Sequence, residues 1–151
     1  MKHPDGLRLD DQLCFALYAA ANAVTRAYRP LLDELGLTYP QYLVMLVLWQ
    51  DGPKPVNGIA RRLGLAQNAI TPLVDRLEQA GLAERVRGEK DRRVVLVRPT
   101  SAGRDLETST AWAQHTVECQ TELGSADLER LRDDLMALVD RMEGEAAPVK
   151  G

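Results

Sequence analysis

Cysteine is nearly absent: Cys14 and Cys119 are the only two in 151 residues. That scarcity excludes a small secreted scaffold stapled by disulfides, and no CxxC pair is present to serve a thioredoxin-type exchange. In a reducing compartment, two such thiols are more often reactive or simply buried than a permanent staple. No apolar run approaches the roughly 18 residues that span a bilayer, and no signal peptide opens the chain, so a cytoplasmic location without a membrane partner is expected. Aromatic side chains make up only 5% of the residues, with Phe15 the single phenylalanine. Yet Tyr18, Tyr28, Tyr39 and Tyr42 all fall in the first third of the chain, and that crowding points to a site there. Internal repeats and low-complexity segments are absent. At this length, one domain with a real hydrophobic core is expected.

Positive charge is also in short supply overall, with a net charge of −3, which argues against a nucleic-acid partner until its distribution is considered. Between Pro53 and Arg98 ten basic side chains face five acidic ones, a local +5 that leaves −8 for the rest. A basic middle with acidic flanks is the footprint of a domain that docks its centre on phosphates, although charge runs are commonly just solvated faces.

The apolar pattern predicts mostly helix. Asp10 or Asp11 can cap a long first helix running to about Leu35, stopped by Gly36, with a kink or local break expected near Tyr28-Arg29 because of Pro30. Leu13, Phe15, Leu17, Val24, Leu31, Leu32 and Leu35, with six interspersed alanines, make this helix apolar almost all round, so it must be buried on more than one side. Thr38 and Gln41 have capping-box spacing before a helix to Gln50. Short helices follow from about Val56 to Leu63 and from about Gln67 to Ala80, each ended by a glycine. This is the helix-turn-helix pattern, a weak signal alone.

The next stretch strengthens it. Leu82–Arg87 and Arg93–Arg98 have strand composition around a Gly88–Arg92 tip, which makes a wing after a recognition helix. Thr100 can cap a helix to about Leu123, and Ser125 another, in which Leu128, Leu131, Leu135, Leu138, Val139 and Met142 recur at helical spacing. The expected fold is therefore mainly α with a small β-hairpin wing. It is a single domain over 1–151: a winged helix at about 38–99, dimerisation helices at about 10–36 and 100–143, and a frayed tail at 144–151. The outer helices carry more apolar face than one chain can cover, so a homodimer is expected. Its two recognition helices suit a palindromic double-stranded operator. At the start of the recognition helix, Gln67, Asn68, Ala69 and Thr71 are placed for base edges, since amides suit adenine and a threonine methyl suits thymine. Arg62, Arg76, Arg87, Lys90 and Arg92 suit phosphates instead.

The order of elements and the wing run from Asp91 to Val97 resemble the MarR family of winged-helix regulators across essentially the whole chain. The segment from Leu13 to Ala19 and the long stretch from Ala27 to Trp49 look like its organic hydroperoxide-sensing (OhrR) branch, in the two-cysteine type. The resemblance implies a redox-sensing Cys14 whose sulfur is hydrogen-bonded across the dimer by Tyr28 and Tyr39, with Tyr18 lining the same pocket. It also implies that Cys119 resolves the oxidised sulfur as an intersubunit disulfide, and that Arg93 is the wing arginine of the minor groove, oriented by Asp91. One departure stands out: relatives open the recognition helix with Asp-Ser-Gly-Thr, whereas this chain has Ala66-Gln-Asn-Ala69 and loses the usual cap.

The residues support the redox reading on their own terms. Peroxide attacks a thiolate, so a sensor needs a thiol more acidic than the free value of about 8.5. The first turn of a helix favours an anion, while Asp10 and Asp11 oppose it and leave the tyrosine hydroxyls to supply stabilisation. Phe15, Leu17 and the alanines would favour apolar organic hydroperoxides as inducers over hydrogen peroxide. The competing readings are a buried inert thiol, a repressor released by a small aromatic or phenolic ligand, and a thiol peroxidase. The enzyme is disfavoured, because neither alternating strands and helices nor CxxC is present. His115 and Cys119 stand one turn apart but make only two metal ligands, so neither a metal nor any cofactor is expected, and His3 is uninformative.

Overall fold

Alanine-rich sequence makes a strong helix former of the first segment, and α1 (Leu13–Asp33) is one continuous helix. A computed structural model describes residues 7–149 of the chain, with side-chain surroundings up to Gly144. The expected aspartate cap is replaced: Leu9–Asp11 form a separate 3-10 turn, and Gln12 occupies the cap position without a side-chain bond. The expected break at Pro30 is not there either. Pro30 removes one intrahelical bond, but the helix continues through it, with Tyr28 and Leu32 on either side buried in the core. α1 ends two residues short of Leu35, where Gly36 takes a left-handed φ of 75° and the Leu37 N–H donates to the Leu32 carbonyl at 3.0 Å.

Helix α2 (Tyr39–Asp51) starts with a reciprocal capping box: Gln41 N–H donates to Thr38 Oγ1 at 3.3 Å, and Thr38 N–H to Gln41 Oε1 at 3.0 Å. It is buried nearly all round through Tyr42, Val44, Met45, Val47 and Leu48, and so forms the centre of the core. Helices α3 (Val56–Leu63) and α4 (Gln67–Gln79) join through Gly64, whose φ of 69° permits the tight turn. Ile59 of α3 and Ile70, Val74 and Leu77 of α4 pack fully buried into that core.

Strands β1 (Ala83–Arg87) and β2 (Val95–Pro99) pair antiparallel with Val86 opposite Leu96, and Lys54 adds a bridge to Val97. β2 starts two residues later than the composition predicts, because Val94 N–H turns back to the Asp91 carbonyl at 3.1 Å and belongs to the tip. Thr100 caps α5 (Ser101–Gln120) as expected, accepting from Gly103 N–H at 3.1 Å. At Gly103 a Cβ would stand 2.0 Å from the Leu82 carbonyl oxygen, so only glycine lets α5 lie this close to the wing's root. Trp49 Nε1–H donates to the same Gly103 carbonyl at 3.1 Å. α5 stops at Gln120, before the expected Leu123.

The chain divides into two compact units, one ending at Val117 and the other beginning at Glu118. The second holds α6 (Ser125–Val149), which buries none of its described side chains. Its backbone is helical through Val149; Lys150, Gly151 and His3 lie outside the described residues. The fold is thus mostly helical with a two-stranded antiparallel wing.

Candidate nucleic-acid interface and thiol site

Burial of Ile70, Val74 and Leu77 fixes which side of α4 faces the core, and the other side presents Gln67, Asn68 and Ala69 to solvent. Thr71 is half-buried, with its hydroxyl on the Gln67 carbonyl at 3.3 Å. Arg76 is exposed two turns beyond Ala69, on the same face. Ala66 sits in an extended, cap-ready conformation but has no side chain to accept a bond. Sequence reasoning missed Pro72, the sixth residue of α4, which has no N–H to give the Asn68 carbonyl. Its signal was in plain view but was masked by the strong helical pattern on either side.

At the wing tip, Asp91 holds Arg93 by three bonds: Oδ1 accepts from Arg93 N–H and from Nε–H, both at 3.0 Å, and Oδ2 from Nη2–H at 3.1 Å. The Arg93 side chain still projects 91% exposed. The Arg93 side chain and then its backbone N–H hold the Asp91 carboxyl below the usual carboxylate range, and the same pairing raises Arg93. Arg87 Nη1–H donates to the Arg92 carbonyl at 3.1 Å, and Lys90 and Arg92 are exposed beside it.

The other cations are not equivalent. Arg62 is tied to Asp51 at 3.0 Å, which also draws Lys54 at 3.9 Å, and Arg98 is tied to Glu84 at 2.9 Å. Arg85 bridges the wing to α4 through Asp75 at 2.9 Å and Glu78. Arg62 is therefore less available for phosphate than its charge alone suggests. Among the described residues Arg61, Arg76, Arg87, Lys90 and Arg92 make no ion pair.

Cys14 lies in the first turn of α1, exposed, with its thiol 3.8 Å from Gln12 Oε1. Phe15 and Tyr18 beside it are also exposed, Tyr18 to 68%. Tyr28 and Tyr39 do come together, 5.3 Å between ring centres, and Tyr42, another of the crowded tyrosines, closes a triangle with them at 5.4 and 5.9 Å. Burial pushes the Tyr39 phenol up, so it stays a protonated donor. Tyr28 is fourteen residues after Cys14 on one continuous helix, about 21 Å along its axis, so a chain's own Cys14 does not reach its own Tyr28. A cavity of about 350 Å³ borders Tyr39, lined by Thr25, Arg29, Leu32 and Leu37 among others. Cys119 is exposed near the end of α5. Among the described residues no three histidine, cysteine or acidic side chains gather as metal ligands.

A helix-turn-helix with a cationic, exposed wing directly after it defines a winged-helix DNA-binding regulator. A family model described as MarR family matches residues 37–95. The HTH-type transcriptional regulator TtmR of Methylorubrum extorquens (strain PA1) is 43% identical over 142 residues, covering 94% of this chain and 73% of TtmR. The Organic hydroperoxide resistance transcriptional regulator of Bacillus subtilis (strain 168) is 37% identical over 138 residues, covering 91% of this chain and 94% of that protein. The solved structure of reduced AbfR bound to DNA matches with a TM-score of 0.73 at 31% identity, over 94% of this chain and 99% of AbfR. The chain belongs to the MarR family, whose members are DNA-binding transcriptional regulators. No helix among its described residues is long and apolar enough to cross a membrane.

Proposed function

We propose that this protein is a thiol-switched repressor acting as a homodimer, a single functional domain with a winged helix at about 38–99 and dimerisation helices at about 10–36 and 100–143. The reduced dimer sits on a palindromic operator, with Gln67, Asn68, Ala69 and Thr71 at base edges and Arg93 in the minor groove. Arg76, Arg87, Lys90 and Arg92 contact phosphates, with Arg62 contributing where it leaves Asp51. The observation that carries the thiol reading is the separation on α1 of an exposed Cys14 from the tyrosine cluster. The cluster is out of reach of its own chain's Cys14, so a Cys14 that it serves comes from another subunit, which ties the chemistry to dimer geometry. The relation to the B. subtilis organic hydroperoxide resistance regulator and to AbfR, whose structure is described as reduced, supports that reading.

In the proposed step, the Cys14 thiolate attacks one oxygen of an organic hydroperoxide. An S–O bond forms, the O–O bond breaks, and the departing alkoxide takes a proton to leave as an alcohol. The Cys119 thiolate of the partner subunit then attacks the sulfenic sulfur, an S–S bond forms and the hydroxyl leaves as water. The outer helices shift and the half-site spacing is lost. Cys14→Ser should bind operator as tightly as wild type and stay bound under cumene hydroperoxide; release of this variant by peroxide would refute the mechanism. A non-reducing gel should show a dimer-sized band after oxidation that dithiothreitol removes, and Cys119→Ser should abolish that band. A second reading, release by a small aromatic ligand, is favoured by the cavity beside Tyr39. It predicts release by a phenolic compound from wild type and Cys14→Ser alike.

A further inference from the structure

We infer that Tyr42 is a positioning residue for the sensing tyrosines: its buried ring sets the angle at which the Tyr28 and Tyr39 hydroxyls converge on Cys14 of the partner subunit. This rests on the thiol-switch reading and deepens it. Tyr42 is 2% exposed and touches both other rings, whereas Tyr39 remains half-buried. Tyr39 and Tyr42 stand three residues apart on one face of α2, and Tyr28 comes from α1. The three interplanar angles, 52°, 38° and 59°, close the triangle with tilted contacts, so each ring is packed against the other two.

The other side of Tyr42 borders a cavity of about 230 Å³ with Leu46, Trp49, Thr110 and Gln114. Removing the ring would join that space to the cluster and let Tyr28 and Tyr39 relax into it. A phenol stabilises negative charge on sulfur only while its O–H is aimed at the sulfur. Ring angle, and not just the presence of two tyrosines, therefore controls how fast Cys14 reacts.

The test uses the full-length dimer with cumene hydroperoxide as probe, following loss of the Cys14 thiol by mass spectrometry over a range of pH. Tyr42→Leu should slow oxidation about tenfold near neutrality, because a lost ring pair weakens the aim of both donors. It should also move the pH–rate profile to higher pH while leaving reduced operator affinity unchanged. Tyr42→Phe keeps the ring and should stay within about twofold of wild type. If Tyr42→Leu does not fold, Tyr42→Met carries the same comparison. The inference fails if the ring-less variant reacts as fast as wild type, or if Tyr42→Phe loses as much as Tyr42→Leu, which would assign the effect to Tyr42's own hydroxyl. Wild type that is not oxidised at Cys14 at all would overturn the thiol switch itself, a different result from both.

Discussion

Two arginines two residues apart on β1 carry the same charge and have different tasks. Arg85 is half-buried and paired with Asp75 and Glu78, while Arg87 is exposed and bonded to a carbonyl at the tip. Arg85→Ala should therefore lower thermal stability by about 1 kcal/mol with little change in salt dependence. Arg87→Ala should leave the melting temperature alone and reduce the slope of log affinity against log salt by about one. Calorimetry paired with binding titrations at several salt concentrations separates the two, and equal slopes for both variants would contradict the assignment. A pH argument applies at Asp91. Its carboxyl is held low by Arg93, so the tip is intact at and above the usual carboxylate range and loosens only as pH falls through the depressed value. Operator affinity of Cys14→Ser, free of thiol chemistry, should thus show no Asp91-dependent change between about pH 5 and 8. Asp91→Asn should weaken it without altering the melting temperature. None of these partnerships could be read from a charge count, because Arg62 and Asp51, or Arg85 and Asp75, meet only once separate elements pack. Cys14, Tyr28 and Tyr39 were singled out through resemblance, and the crowding of four tyrosines pointed to the same part of the chain, but the packing of Tyr42 against Tyr28 and Tyr39 arises only once α1 and α2 meet.

Among the elements, the recognition helix has the least local support. Its start has no side-chain cap, and Pro72 removes a hydrogen bond one turn further on. Its position depends on Ile70, Val74 and Leu77 in the core and on Arg85 gripping Asp75 and Glu78. Ala66 already has the extended backbone that a cap requires, so Ala66→Ser should stabilise the protein by about 1 kcal/mol. Thermal unfolding checks this, and an unchanged melting temperature would mean that other packing already fixes the first turn. Element identity and order were legible because glycine stops, the Thr38–Gln41 box and the Thr100 cap act locally. The ends of α1 were not. A proline inside a helix is judged by what packs beside it, and Tyr28 and Leu32 find their burial only in the folded chain.

At the scale of the whole molecule, the apolar surface asks for a second copy. α1 exposes Leu13, Phe15, Tyr18 and Val24, α5 exposes Trp112 to 61%, and α6 exposes Leu131, Leu135, Met136, Val139 and Met142. Contiguous exposed apolar faces mark interaction sites, and dimer interfaces bury such side chains. Leu131, Leu135, Val139 and Met142 recur at intervals of four, four and three, a stripe along one side of α6 that a partner would cover. Leu135→Lys puts a charge in its middle while disturbing nothing buried within the chain, since α6 buries none of its described side chains. Sedimentation should show the variant as a folded monomer with unchanged helix content. Two recognition helices on one rigid dimer gain on the order of a hundredfold or more over a single one through effective concentration, so the variant's operator affinity should fall by at least about that factor. A monomeric Leu135→Lys that held a full operator at wild-type affinity would show that one winged helix suffices. It would also count against the proposed thiol switch, because a disulfide between subunits could release an operator only if both subunits were needed to hold it.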